Sequence, residues 1–275
     1  MVKVRFWGVR GSIPVPGPDT VRVGGNTACV ELQTQDREVI IIDAGTGIRL
    51  LGLDLARRPA ERLIAVLMFS HTHWDHLQGL PFFTPATVRQ NRVVVLGERR
   101  MGRRLEQILA GQMVDAYLPF TLDDLRADLL IKEVHDGEKL VVGNSTSVLP
   151  RRLHHPGGVF GFRIVNQGRT VVYASDVSHP IDKPDPNVVD LARNADLLIH
   201  DAQYTPEEKQ QHADWGHSSW IDAVHVAQQA EVQQLALFHH DPLHTDDDLE
   251  KIERQAQAMF PGAFLAREGM EVTLE

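Results

Sequence analysis

The sequence predicts a four-layer α/β fold, two packed sheets with helices outside, formed by one domain over residues 1–275. Three observations predict it. Strand-like runs rich in β-branched residues fall into two sets along the chain. Helical patterns accompany the strands of both sets, as layered α/β architectures require. No Gly/Ser linker, low-complexity tract, charge block or short repeat divides the chain.

Taken in order, Val2–Trp7, Ala28–Thr34 and Glu38–Asp43 read as strands, interrupted by a Gly/Pro-rich stretch from Gly8 to Gly25. Thr46 to Arg58 reads as a helix with Ile48, Leu51 and Leu55 on one face. Leu63–Ser70 is a continuous apolar strand of the kind buried on both faces. The segment 102–124 reads as a helical insertion outside both sheets. It ends in the aromatic loop Tyr117-Leu118-Pro119-Phe120, which either covers a site or packs on the surface. A second β-rich stretch begins near Leu130 and continues through Ser147–His154, Phe160–Asn166 and Thr170–Ser175. It is followed by a helix at Asn187–Asn194, a strand at Asp196–Asp201, a helix at Ser218–Ala230, a strand at Gln234–His239 and a helix at Asp246–Phe260.

Composition narrows the function classes. The formal charge of −9 gives no general electrostatic reason to track a polyanion. Two basic clusters, at 98–104 and 151–155, are short, and the first reads as the solvated face of a helix. No apolar run approaches the roughly 20 residues of a membrane span, and the first residues show no secretory pattern. The single cysteine, Cys29, reads as a small buried hydrophobe. These features point to the cytoplasm, with neither membrane nor nucleic acid expected as a partner and homodimer formation left open.

The fourteen histidines stand out, and their placement decides the chemistry. His71-Thr72-His73-Trp74-Asp75-His76 follows directly on the buried strand and puts four potential metal ligands into six residues. Imidazole nitrogen and carboxylate oxygen are the donors that zinc takes. The i, i+2 spacing lets His71 and His73 leave one side of an extended segment, while Asp75 and His76 begin the next turn and can face a second ion. Further donors sit where other strands end: His154-His155-Pro156-Gly157-Gly158, Ser175-Asp176 and His239-His240-Asp241-Pro242. Asp176 is the acidic residue best placed to bridge two cations. The remaining histidines, His135, His179, His212 and His225, have no ligand-like neighbours in sequence, and His244 introduces the acid-rich start of the last helix.

With these residues in place, the chain resembles the metallo-β-lactamase superfamily, in the branch holding RNase Z and cyclic-phosphodiester hydrolases such as phosphoribosyl cyclic phosphodiesterase. The resemblance runs from Phe6-Trp7-Gly8-Val9-Arg10-Gly11-Ser12 to His239-His240-Asp241-Pro242, nearly the whole chain. It includes Gly24-Gly25-Asn26-Thr27, Ile42-Asp43-Ala44-Gly45, His200-Asp201-Ala202-Gln203 and Gly216-His217-Ser218. It implies an αββα sandwich with two divalent metal ions, zinc or alternatively manganese or iron. His71, His73 and His155 would bind one ion, and Asp75, His76 and His239 the other, with Asp176 and a hydroxide bridging. His155 is preferred to His154 by its spacing to Gly161-Phe162-Arg163, and His239 to His240 because it stands three residues before Pro242. Asp43 and Asn26 would support the site or its loops rather than bind metal.

The resemblance also assigns Asp201 and His217 to proton delivery, making them catalytic together with Asp75. RNase Z typically has Glu where this chain has Asp201, so the reach here is shorter. An alkoxide leaving from phosphorus must be protonated, and a carboxylate-held imidazole does this near neutral pH. Two dications less Asp75, Asp176 and a hydroxide leave a site core of about +1, matched to a monoanionic diester. The expectation is therefore hydrolysis of a small cyclic phosphodiester, a cyclic nucleotide or ribose cyclic phosphate. An RNase Z-like endoribonuclease and a thioester hydrolase of the glyoxalase II kind are the alternatives. Against the first, no long Gly/Pro-rich arm or basic balance is visible; the second gives no reason for the Asp201/His217 pair. A β-lactamase would carry a late cysteine ligand, and a flavodiiron protein a Glu in place of His73. A non-enzymatic binding module would not need the full ligand set.

Overall fold

The computed structural model describes residues 1–35, 38–58, 62–180 and 183–275. Its first half runs β1 (Val2–Gly8), β2 (Cys29–Gln33), β3 (Val39–Ile42), α1 (Ile48–Leu55), β4 (Ile64–Met68), the one-turn α2 (Trp74–Leu77), β5 (Arg92–Gly97), α3 (Leu105–Gln112) and β6 (Asp128–Glu133). The second half runs β7 (Leu140–Val142), β8 (Thr146–Leu153), β9 (Val159–Asn166), β10 (Arg169–Ala174), α4 (Pro186–Ala192), β11 (Leu197–Asp201), α5 (Pro206–Gln211), α6 (Trp220–Gln229), β12 (Gln234–Phe238), α7 (Asp246–Met259), β13 (Ala263–Leu265) and β14 (Glu271–Leu274).

Two seven-stranded sheets result, in the orders β14-β1-β2-β3-β4-β5-β6 and β13-β12-β11-β10-β9-β8-β7. Each is mixed: β3 to β6 run parallel, as do β10 to β13, while the other pairs are antiparallel. The four β-branched residues of β3 show why the layers form. Ile40 and Ile42 join the core between the sheets, and Val39 and Ile41 join the one beneath α1. Phe6 of the first sheet meets Phe238 of the second at 6.1 Å between ring centroids. Helix α7 buries Leu249, Ile252 and Ala256, and its start is fixed by a Thr245/Asp248 capping box. Cys29 lies fully buried in the outer core, where burial pushes its thiol well up.

The αββα sandwich is the fold the sequence predicts, with three differences in detail. The β-rich stretch from Leu130 divides: β6 is the edge of the first sheet, paired with β5, and the second sheet begins at β7. β5 and the short β13 and β14 were not anticipated; β14 returns from the chain's end to pair with β1. The 102–124 segment is helical only over α3 and a single 3-10 turn at Leu122–Asp124. Leu105, Leu109 and Met113 fasten it to the outer core, and Tyr117 is exposed. Among the described residues no helix is long and apolar enough to cross a membrane.

Candidate metal centre

The predicted site residues converge where strands end. His71 follows β4, His155 follows β8, Asp176 follows β10, Asp201 closes β11 and His239 follows β12. Parallel strands deliver their C-terminal ends to one edge, where loops assemble sites. Three of these ends turn through left-handed backbone at non-glycine residues: Asp43 (φ 62°), Asp176 (φ 55°) and His239 (φ 61°). Such conformations are costly and cluster at functional sites. Gly11 is required here, because a Cβ on it would lie 2.4 Å from His239 Nδ1.

Among the described residues four donor groups form; two include His217, joined by His155 and Asp176 or by Asp201 and His239, and the other two are the predicted sets. His71, His73 and His155 offer nitrogens within 4.8 Å of one another, and Asp75, His76, Asp176 and His239 offer a second set within the same limit. His155 Nε2 lies 3.2 Å from His73 Nδ1. In the second set, His76 Nε2 lies 3.2 Å from His239 Nε2 and 3.2 Å from Asp176 Oδ2. His239 Nε2 lies 3.1 Å from Asp75 Oδ2 and 3.3 Å from Asp176 Oδ1. Asp176 thus stands between the sets, its Oδ1 also 3.7 Å from His71 Nε2.

The outer nitrogens of three of these rings are held by carboxylate, amide or backbone carbonyl oxygen. His76 Nδ1 meets Asp43 Oδ2 at 2.8 Å, His239 Nδ1 meets Gln203 Oε1 at 3.0 Å and His155 Nδ1 meets the Gly216 carbonyl at 2.9 Å. A carboxylate or carbonyl only accepts, so each Nδ1 carries the proton and each Nε2 presents a lone pair inward. Asp43 is fully buried and also accepts from Ser70 N, Ser70 Oγ and Tyr173 Oη, which joins the two sheets beneath the site. The Ser12 amide donates to Asp75 Oδ2 at 2.7 Å.

These donors fit a cation. The Nε2 lone pairs of His76 and His239 face each other and two carboxylates, an arrangement of acceptors alone that repels itself unless positive charge lies among them. Buried His71 Nε2 has no hydrogen-bond partner. Without metal, protons take that place. Burial opposes charge on His76, yet Asp176, Asp75 and Asp43 hold its pKa well above the usual histidine range. Burial drives His71 well down and His73 down to about 4, the latter helped by Arg100.

His217 sits at the junction. Its Nδ1 is 2.8 Å from Asp201 Oδ2, and its ring stacks on His239 with centroids 5.0 Å apart. Burial opposes its charged form, but Asp201 raises it to about 9. Asp201 Oδ1 accepts the amides of Gln203 and Ser218, and Oδ2 that of Asp176.

The neighbours of the preferred histidines point elsewhere. His154 Nδ1 bonds Ser178 Oγ, and buried His240 bonds the Ala266 carbonyl. Asn26 holds its loop through Glu268. Sequence reasoning passed over Arg100, placed by it on a solvated helix face. The residue precedes α3 instead and is 9% exposed, with Nη2 3.0 Å from His73 Nε2. It also passed over His179, which pairs with His200 through ring nitrogens 3.2 Å apart. Neither carries a local spacing signal.

Comparison with known proteins agrees with this fold. A family described as the beta-lactamase superfamily domain matches residues 38–240. A curated ribonuclease Z from Treponema pallidum is 21% identical over 97% of this chain and 96% of its own. The Bacillus subtilis metallo-beta-lactamase fold protein YhfI superposes with a TM-score of 0.74 at 20% identity, covering 98% of both chains. A diphosphatase of the PhnP family superposes with a TM-score of 0.73 at 19% identity, covering 100% of this chain and 98% of its own.

Proposed function

Because the chain belongs to the beta-lactamase superfamily domain family, we propose that this site holds two divalent metal ions and hydrolyses a small cyclic phosphodiester, a cyclic nucleotide or ribose cyclic phosphate. His71, His73 and His155 would hold one ion and Asp75, His76 and His239 the other, with Asp176, which stands between the two sets, available to either. The mixed nitrogen and oxygen donors suit zinc, with manganese or iron as alternatives. When bound, such ions supply Lewis-acid charge for a phosphoryl group and lower the pKa of water.

The chain's own residues set orientation and protons. Asp43, Gln203 and Gly216 fix the rings of His76, His239 and His155. Asp201 accepts from His217 Nδ1 and favours its imidazolium, so the pair is arranged to deliver a proton from Nε2 to a departing oxygen.

The His217–Asp201 pair, set beside the donor clusters, carries the reading. An alkoxide leaving from phosphorus needs that proton, whereas the thiolate leaving from a thioester does not. The charge of −9 favours a small diester over a long polyanion. A ribonuclease Z-like activity is the second reading, favoured by the curated relatives of that name, and it makes nucleic acid a candidate substrate. The test compares kcat/KM for 2′,3′- and 3′,5′-cyclic nucleotides with that for a precursor tRNA at moderate salt. Faster turnover of a cyclic diester supports the first reading, and faster turnover of the tRNA the second.

A further inference from the structure

The two basic stretches that look unrelated in sequence meet beside the metal centre. Arg152 of β8 is ion-paired with Glu98, just after β5. Arg100, two residues on, reaches over the loop that carries His155. Its Nη2 donates to the Pro156 carbonyl at 2.6 Å and its Nη1 to the Gly158 carbonyl at 3.1 Å, while the same Nη2 stands 3.0 Å from His73 Nε2. Among the described residues, no carboxylate lies within ion-pair distance of it.

A guanidinium so nearly buried without a direct ion pair is expensive: burial lowers its pKa, and Glu98 and Asp176 oppose that only from a distance. The loop is shaped to admit it. Gly157 has φ 79°, and a Cβ there would lie 2.5 Å from Nη2. Gly157 therefore opens room for the Arg100 side chain. Its five N–H groups exceed the three partners it has, and a guanidinium N–H is a strong donor to an anionic phosphate oxygen.

We propose that Arg100 is a substrate-binding residue that takes a non-bridging phosphate oxygen beside His73 and makes the site selective for anionic esters. This rests on the phosphodiesterase reading, and it identifies the group that tells a phosphodiester from a neutral ester. The cationic charge needed to hold the anion is local, in a chain whose overall charge is negative.

The probe is inorganic phosphate, bound calorimetrically to the metal-loaded protein, alongside KM for bis-p-nitrophenyl phosphate. Arg100→Gln should weaken phosphate binding and raise KM by about 10- to 100-fold, the scale of one lost charge-assisted hydrogen bond. Metal content and Tm should stay unchanged. Arg100→Lys, which keeps the charge but not the fork, should fall between. Unchanged phosphate affinity and KM in Arg100→Gln would overturn the proposal. A drop in metal content would also overturn it, because Arg100 would then serve His73 and His155 rather than substrate. If the wild type cleaves no phosphodiester, the functional reading fails. Phosphate binding that Arg100 controls would still be measured independently of turnover.

Discussion

His217 Nδ1 and Asp201 Oδ2 stand 2.8 Å apart, and the carboxylate is itself fixed by three backbone amides. A carboxylate so held cannot rotate away, so the imidazole it orients keeps one ring nitrogen directed at the site. Replacing His217 by Ala should slow hydrolysis of substrates with alkoxide leaving groups by about 10²- to 10⁴-fold. Bis-p-nitrophenyl phosphate, whose phenolate leaves without needing a proton, should lose much less. Asp201→Asn should follow the same pattern more mildly. Equal losses on both substrates in steady-state assays would make His217 a structural or metal-supporting residue.

Asp43 joins the ends of β3, β4 and β10 through Ser70, His76 and Tyr173. Asp43→Ala leaves a tyrosine hydroxyl, an amide and an imidazole N–H buried without acceptors. The expected loss of stability in urea denaturation is about 3–5 kcal/mol. Metal affinity should weaken by about 10- to 100-fold as His76 loses its orienting partner. A variant with wild-type midpoint and affinity would show that this junction is dispensable.

His179 gives the pH dependence a definite sign. Burial pushes it down to about 3, and His200 beside it adds to the fall. The Asp185 amide donates to His179 Nδ1, and His200 Nδ1 meets the Asp201 carbonyl at 2.7 Å, so the pair is satisfied when both rings are neutral. The unfolded chain binds this proton near pH 6.5. The contribution is therefore complete above about pH 6.5 and is lost as pH falls towards 3. In metal-free protein, denaturant unfolding of His179→Gln should lose less stability than the wild type over that interval. Parallel pH profiles would remove His179 from the account.

Much of this was legible because its signals are local. The buried strand before His71, the crowded HTHWDH segment and the capped α7 each declare themselves within a few residues. The choice of His155 over His154 rested on resemblance, and the geometry turns His155 into the cluster and His154 towards Ser178. What sequence concealed depends on distant partners. β14 is only four residues long and exists because β1 offers it an edge. Arg100 looked like a solvated helix residue because its reason to be buried, the space opened by Gly157, lies 57 positions further along the chain. His179 looked inert because its partner, His200, belongs to another strand.

Two ions held in common by Asp176 form the central claim, and a metal titration tests it most directly. The chelated protein is titrated with zinc while metal content and hydrolysis of bis-p-nitrophenyl phosphate are followed together. The account predicts activity that saturates at about two equivalents per chain, and an Asp176→Ala variant that stays folded but loses most of that activity. Full activity at one equivalent, undiminished by Asp176→Ala, would contradict it.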